Sequence, residues 1–208
     1  MSRASRGPAS TALLLVLLLS GALFYFTCYA RPDRHVNSAQ LSRTAEAGSS
    51  SAEQHFSPAE NLEQLERARL DAAQHTVDIA MYSFTDRYMA EELLALARRG
   101  VQIRLYRDRQ RYEEEQRNVR ERGSPSTTDL LRGEKNIRIG VKKDSELMHL
   151  KVYLVDGWLL RDGSANWSPS GLKRQDNNVH YTSDPAQVRA FQQQFEQMWN
   201  RRDNERVQ

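Results

Sequence analysis

The residues best able to carry out chemistry lie in one short segment, HLKVYLVDGWLLRDGSAN, at positions 149–166. On a strand, His149 and Lys151 project from one face, while Leu150 and the alternate apolar residues after it project from the other, towards a core. An imidazole and an ammonium on an otherwise apolar strand are costly to bury without partners. The pair therefore indicates a functional site rather than ordinary core packing.

The second half of this segment supplies neutral hydrogen-bond donors. Asp156-Gly157 predicts a two-residue hairpin turn, which brings the GSAN sequence back beside His149. Ser164 and Asn166 are two residues apart and can both donate to one oxyanion. A nucleophile or base, a fixed cation and neutral donors together suit a phosphoryl group.

The complete pattern is H-x-K, four residues, D, six residues, G-S-x-N. This pattern resembles the signature of the phospholipase D superfamily. Residues 56–58 (FSP) and 77–85 (VDIAMYSFT) also resemble the single-motif bacterial endonuclease branch, which includes the mitochondrial relatives called Zucchini. The resemblance covers about residues 55–200 and is more specific for the superfamily than for a substrate.

The resemblance implies a covalent mechanism. His149 would attack phosphorus and form a phosphohistidine, and a second histidine would protonate the leaving alcohol and then activate water. Lys151 and Asn166 would hold the nonbridging oxygens, with Ser164 nearby. The resemblance implies no metal and no other cofactor.

Two aspartates are further candidates for the site. Asp156 belongs to the motif, but it ends the strand and could fix the hairpin as much as the site. In the family an acidic residue downstream normally orients the nucleophilic histidine, and the candidate here is Asp176, where many relatives carry glutamate. The alternative is that Asp176 only caps a loop.

The number of histidines predicts the oligomeric state. Only His149, of five histidines, is followed by x-K. Because the mechanism needs two catalytic histidines, we predict a twofold homodimer in which both His149 side chains meet at the axis. We expect structural roles or linker positions for the others, which are His35, His55, His75 and His180.

Helical and strand patterns alternate around this segment. Predicted strands lie at 77–81, 101–105, 137–141 and 150–155 and from Trp158, and predicted helices lie at 57–74, 85–100 and 107–123 and from Asp184. The first helix is expected to begin with a capping box at Ser57–Glu60. The order predicts an α/β fold, with a mixed β-sheet flanked by helices on both faces and one motif per chain.

One predicted helix is almost wholly charged. Residues 107–123 read RDRQRYEEEQRNVRERG, which favours a solvated helix with ion pairs four residues apart. The alternative is a basic lip over a substrate groove.

The N-terminal segment, residues 1–30, predicts export. Thr11–Ala30 is uncharged and follows Arg3 and Arg6, which is typical of a secretory signal or a membrane anchor, and a buried core helix fits less well. We expect a polar linker at 31–56, the catalytic domain at 57–202 and a polar tail at 203–208. The domain would then be periplasmic, or membrane-anchored and outside the cytoplasm.

The composition narrows the class of protein. The chain has 208 residues, 39% of them hydrophobic and 27% charged, with a net charge of +3. A single cysteine excludes a disulfide scaffold, and 10 glycines and 6 prolines exclude a collagen-like chain. Only one segment is apolar enough to span a bilayer, so a multi-pass membrane fold is excluded.

Two substrate classes and one non-enzymatic role fit the sequence. The net charge and the short single-motif pattern favour nucleic acid, whose backbone could be tracked by Lys142, Lys143, Lys173 and Arg174. Phospholipid headgroup hydrolysis is the alternative, favoured by the membrane-proximal N-terminus. A third hypothesis is an exported nucleic-acid-binding module without catalysis.

Overall fold

An eight-stranded mixed sheet runs through residues 51–207, the part of the chain that this computed structural model describes. The strands are β1 (Ala52–Ser57), β2 (Thr76–Met81), β3 (Gln102–Arg107), β4 (Ile137–Val141), β5 (Lys151–Val155), β6 (Leu159–Gly163), β7 (Asn177–Thr182) and β8 (Glu205–Val207). Their spatial order is β1-β7-β6-β5-β2-β3-β4-β8. The β2–β3 and β3–β4 pairs are parallel, and the other neighbours are antiparallel.

Six helices accompany the sheet in the described part. They are α1 (Leu62–Asp71), α2 (Arg87–Arg98), α3 (Arg109–Arg122), α4 (Thr127–Leu131), α5 (Pro169–Lys173) and α6 (Pro185–Trp199). Aspartates begin three of them, because the side chains of Asp86, Asp108 and Asp184 accept from backbone N–H groups of the first turn. The predicted α/β class is confirmed, and α4 and α5 are additions that the sequence patterns did not indicate.

The central strand β5 is buried on both faces. Tyr153 and Val155 join the larger hydrophobic cluster, which packs with α1 and α2. Val152 and Leu154 join the second cluster, which packs with α6. A strand covered on both sides holds a fixed position, so the residues at its ends are well placed to form a site.

The N-terminal boundary of the domain differs from the prediction. Residues 52–57, expected to lie largely in a linker, form the edge strand β1, which pairs with β7. Ser57 therefore ends a strand, and α1 is capped by Asn61 instead. Glu60 accepts from the Phe56 N–H at 3.0 Å and so closes the turn between them. An edge strand with its outer face in water has a polar composition, which is why it resembled a linker.

The C-terminal boundary also differs. Residues 205–207, expected in a polar tail, form β8 against β4, and Val207 packs on the larger cluster. The predicted signal or anchor and the linker up to residue 50 lie outside the described residues. Among residues 51–207, no helix combines the length and the apolar character needed to cross a membrane.

Candidate active site

The site begins where β5 begins. His149 directly precedes β5, and the Tyr82 N–H that follows β2 donates to the Leu150 carbonyl at 2.9 Å. Continuing the register of the two strands places Ser83 opposite His149. The last residues of β2 therefore hold the backbone of the motif. Leu150 is 37% exposed, which corrects the expectation that it enters the core.

His149 and Lys151 are in direct contact. Lys151 Nζ lies 3.2 Å from His149 Nε2 and donates to the His149 carbonyl at 2.8 Å. A charged ammonium has donors and no acceptor, so Nε2 accepts and the proton of a neutral ring is on Nδ1. The His149 side chain is exposed, while Lys151 is buried. In the neutral ring, Nε2 therefore carries no proton and its lone pair accepts from Lys151, so this contact must open before Nε2 can act as a nucleophile.

The environment of Lys151 alters its acidity. Burial, followed by the nearby positive charge of Arg161, lowers the pKa of Lys151 from its ordinary value to about 8. Its Nζ also lies 4.8 Å from the ring centroid of Tyr82, and this ring packs edge-on to His149 with centroids 4.5 Å apart. Lys151 is therefore a positioned cation whose charge changes near neutral pH.

Asn166 is brought to the same edge. Its Oδ1 accepts from the Ser83 N–H at 3.2 Å, on the strand segment opposite His149. Among residues 51–207, its Nδ2 has no hydrogen-bond acceptor, so this amide can donate to a ligand. The structure therefore joins His149, Lys151 and Asn166 around the end of β2.

Ser164 is held differently from the expectation. Its Oγ donates to Asn177 Oδ1 at 2.9 Å and accepts from the Asn178 N–H at 3.0 Å. It lines a hollow of about 440 Å³ that also includes Phe56, whereas His149 lines a separate one of about 510 Å³. Ser164 thus fixes the GSAN turn to β7, and no hydrogen bond in the described part joins it to His149.

A buried arginine connects the two halves of the motif. Arg161 is fully buried and donates to the Lys151 carbonyl at 2.5 Å and to the Ala165 carbonyl at 3.0 Å. It also forms an ion pair with Glu66 of α1, which accepts from the Trp167 indole at 3.2 Å. No local sequence pattern indicates this pair, because its two residues are 95 positions apart.

Comparison with known proteins agrees with this geometry. Residues 67–199 match the family model described as "Cardiolipin synthase, PLD-like domain", which is more than half of the chain. The chain belongs to the phospholipase D-like family. The resemblance to the phospholipase D superfamily that the motif indicated is therefore confirmed.

Curated relatives share the middle of the chain. The mitochondrial cardiolipin hydrolase of Chlamydomonas reinhardtii is 30% identical over 131 residues, which cover 63% of this chain and 54% of the relative. The protein of the same name from Homo sapiens is 30% identical over 138 residues, which cover 66% of this chain and 50% of the relative. The chain thus spans only about half the length of these two relatives.

Solved structures share the fold. NucT from Helicobacter pylori superposes with a TM-score of 0.64 and 22% identity, over 72% of this chain and 96% of that protein. Nuc from Salmonella typhimurium, a phospholipase D family member, gives 0.63 and 20%, over 76% of this chain and 99% of that protein. At these identities the likeness supports the fold.

Asp156, the aspartate that follows H-x-K in the phospholipase D-like motif, lies away from the site. It follows β5 at the end opposite His149, and its carboxylate accepts from the N–H groups of Gln74, His75 and Thr76, each at 2.8 Å. Partial burial acts to raise its pKa, but these N–H donors outweigh burial and lower it. Asp156 thus fixes the loop between α1 and β2, at the end of β5 opposite His149.

Asp176 does not reach the nucleophile either. It is exposed just before β7, and its side chain makes no hydrogen bond within residues 51–207. The residues that do reach back towards the motif are its neighbours Asn177 and Asn178, which contact Ser164. The sequence analysis did not select them, because an acidic residue was sought.

The other described histidines lie apart from His149. His55 Nδ1 contacts Glu60 at 2.7 Å, and His180 Nδ1 contacts Asp162 at 3.4 Å. His75 is exposed next to the Asp156 cap. His35 lies outside the described residues. No second histidine within 51–207 therefore contacts the His149–Lys151 pair.

The predicted basic flank is only partly available to a ligand. Lys142 is buried and donates to the Glu146 carbonyl, and Lys173 pairs with Glu63. Lys143 and Arg174 are exposed.

Arg111, which belongs to the segment 107–123 that the basic-lip alternative covers, lies against the Tyr82 ring of the site. Within residues 51–207, no group of three histidine, cysteine or acidic side chains could hold a metal ion.

Proposed function

We propose that this protein is a phosphodiesterase that works through a phosphohistidine on His149 and that its substrate is nucleic acid. The observation that supports this most directly is the contact between exposed His149 and buried Lys151, which places a histidine nitrogen beside a cation. The Asn166 amide adds a neutral donor at the same strand end.

The proposed reaction has two displacements at phosphorus. In the first, His149 Nε2 forms a bond to phosphorus while the bond to the leaving oxygen breaks, and a second histidine gives that oxygen a proton. In the second, that histidine takes a proton from water, the water oxygen bonds to phosphorus, and the phosphorus–nitrogen bond breaks. Lys151 and Asn166 stabilise the charge on the nonbridging oxygens in both steps.

We propose that the second histidine is the His149 of a second copy of the chain. The described residues supply only one histidine at the site, and we infer that another chain supplies the second. Leu147 is 47% exposed and Leu150 is 37% exposed beside His149. Exposed apolar side chains next to an incomplete site support a twofold contact there.

A phospholipid substrate is the second candidate. The matched relatives are named mitochondrial cardiolipin hydrolase, and Leu147 and Leu150 line the hollow that contains His149. The same apolar residues could contact a lipid surface as readily as a second copy. A binding module without turnover is the third candidate.

The decisive experiment measures turnover without free metal. Full-length protein in mild detergent, with excess EDTA, is given single-stranded DNA, plasmid, RNA, phosphatidylcholine vesicles and cardiolipin vesicles. We expect nucleic-acid cleavage that His149→Ala abolishes while binding remains. His180→Ala is the matched control, because His180 lies on β7 against Asp162.

Other outcomes decide between the candidates. Lipid turnover without nucleic-acid cleavage would favour the phospholipase. Binding of nucleic acid that His149→Ala leaves unchanged, with no turnover from a confirmed dimer, would favour the binding module. Cleavage that EDTA abolishes would contradict the proposed mechanism.

We also propose that Thr11–Ala30 exports the domain, because this apolar segment follows Arg3 and Arg6. A fusion of the full chain to a reporter that is active only outside the cytoplasm tests this. An inactive reporter in an expressed fusion would contradict it.

A further inference from the structure

Three side chains of the site meet on one aromatic ring. His149 packs edge-on to Tyr82, and Lys151 Nζ lies 4.8 Å from the ring centroid. Arg111, from the first turn of α3, places its Cζ 5.0 Å from the same centroid. Both cations therefore lie within 5.0 Å of the same ring centroid. A second positive charge therefore lies next to the catalytic pair.

The Arg111 guanidinium is only partly committed to other groups. Its Nη1 donates to Glu114 Oε2 at 2.6 Å, and its side chain is 41% exposed. In the part of the chain that the structure describes, Nη2 has no acceptor, and Nε is buried without one. An arginine presents five N–H donors in a planar fork that matches phosphate oxygens. The Nη2 donors are thus left for an anion, whereas the buried Nε is not accessible to one.

We propose that Arg111 binds the phosphate next to the reacting one on a polynucleotide strand, and that Glu114 competes for the same guanidinium when no substrate is present. This inference rests on the proposed nuclease function and names the feature of the substrate that the site uses. In a polynucleotide, every reacting phosphate has a charged neighbour along the backbone, which gives a second cation beside Lys151 an anionic partner.

The structure also explains why Arg111 is suited to this role. Tyr82 holds the guanidinium by its ring, so less side-chain freedom is lost when a phosphate binds. The Glu114 pair is exposed at the surface, where an ion pair contributes little, so a phosphate can displace it. Lys142 and Lys173, by contrast, are occupied by groups of their own fold.

The test compares two substrates that differ in having a neighbouring phosphate. Full-length protein is assayed on a single-stranded oligonucleotide and on bis(p-nitrophenyl) phosphate, which contains one phosphodiester only. For Arg111→Gln we expect the oligonucleotide KM to rise about tenfold and the salt dependence of kcat/KM to fall by roughly one phosphate contact. Activity on bis(p-nitrophenyl) phosphate should stay within about twofold, since no contact to its phosphate is lost.

Two further variants provide the controls. Glu114→Gln removes the competitor, so we expect the oligonucleotide KM to fall. Arg120→Gln removes the same charge from an exposed position on the same helix, and we expect it to leave both substrates nearly unchanged.

Several results would overturn the proposal. Equal losses on both substrates would mean that Arg111 acts on the catalytic pair through Tyr82. Equal effects of Arg111→Gln and Arg120→Gln would mean that only the overall charge matters. If the wild-type protein hydrolyses cardiolipin vesicles and no oligonucleotide, the proposed nuclease function fails together with this inference. If it cleaves oligonucleotide and Arg111→Gln has no effect, this inference alone fails.

Discussion

At the scale of single residues, Lys151 connects structure to pH dependence. Burial and the Arg161 charge favour its neutral form, yet the proposed reaction needs its cation to hold the nonbridging oxygens. Because the folded pKa is lowered, the charged form is lost as the pH rises through about 8. Activity is therefore tied to a titration that an ordinary lysine would show only at much higher pH.

We expect kcat/KM to fall on the alkaline side with a limb near pH 8. Lys151→Arg should remove this limb, because arginine stays charged, although its different shape should lower the maximal rate. The measurement is a pH–rate profile on bis(p-nitrophenyl) phosphate, with Lys143→Arg, an exposed neighbour, as the control. An alkaline limb that stays in place in Lys151→Arg would show that another group titrates.

We expect Asp156 to affect the stability of the fold rather than the rate of the reaction. Asp156→Ala removes the acceptor for three backbone N–H groups and leaves an alanine at a φ of +48°, so we expect a loss of roughly 1–3 kcal/mol in the free energy of unfolding. The rate per folded molecule should stay near that of the wild type, since the carboxylate lies away from His149.

The effect of Asp156→Ala on stability at low pH tests this role of Asp156. Because its folded pKa is lowered, its contribution is present above the unfolded value and is lost as the pH falls towards the folded one. Urea unfolding of wild type and Asp156→Ala at pH 7 and near pH 3 measures this, and the difference between them should shrink at the lower pH. If Asp156→Ala lowers kcat strongly without any loss of stability, Asp156 takes part in catalysis.

The sequence predicts single residues well where local spacing determines their neighbours. His149 and Lys151 are two residues apart on an extended segment, and the structure places their side chains in contact. The surroundings of Asp156 and Asp176 could not be predicted in this way, because they depend on segments that are distant in the sequence. The three donors to Asp156 come from a loop about eighty positions earlier, and no local pattern indicates that meeting.

At the scale of elements, α1 and β6 are joined by the buried Glu66–Arg161 pair, which holds both strands of the motif. Arg161→Met leaves Glu66 buried without its partner and the carbonyls of Lys151 and Ala165 without donors. We expect a loss of about 3–5 kcal/mol in the free energy of unfolding, the usual cost of breaking a buried pair on one side.

The double variant Glu66→Met with Arg161→Met separates stability from positioning. Because neither charge of the pair remains, the free energy of unfolding should largely return to the wild-type value, while the carbonyls of Lys151 and Ala165 still lack their donor. We therefore expect a folded protein with a reduced kcat and a higher pKa for Lys151, seen as an alkaline shift of the pH–rate limb. Full activity in the stable double variant would mean that Arg161 serves stability alone.

Sequence patterns predicted most elements that have a strong apolar period. Strands β2 to β5 and helices α2, α3 and α6 lie within a few residues of their expected positions. Strand β1 was missed because it is a polar edge strand, and the start of α1 was misplaced because Glu60 closes a turn with Phe56 and Asn61 caps the helix. In these cases a partner strand or a reciprocal side-chain contact decides the structure, and neither has a sequence period.

At the scale of the whole molecule, the proposed mechanism requires two chains for one site. If the His149 side chains of two copies share one phosphate, a chain with a wild-type sequence is inactive when paired with a His149→Ala chain. Mixing an equal amount of His149→Ala with a fixed amount of wild-type chain, followed by exchange, should halve the activity. A ninefold excess should reduce it to about one tenth, as random pairing in a twofold dimer requires.

The control uses the exposed apolar surface beside the site. A His149→Ala chain that also carries Leu150→Asp places a charge on a residue that is 37% exposed, so it should not pair and should leave wild-type activity unchanged. Light scattering should show a dimer for the wild-type and His149→Ala proteins and a monomer for the double variant. If dilution with His149→Ala leaves the activity constant although exchange is demonstrated, each chain contains a complete site. The group that protonates the leaving oxygen would then have to come from the same chain.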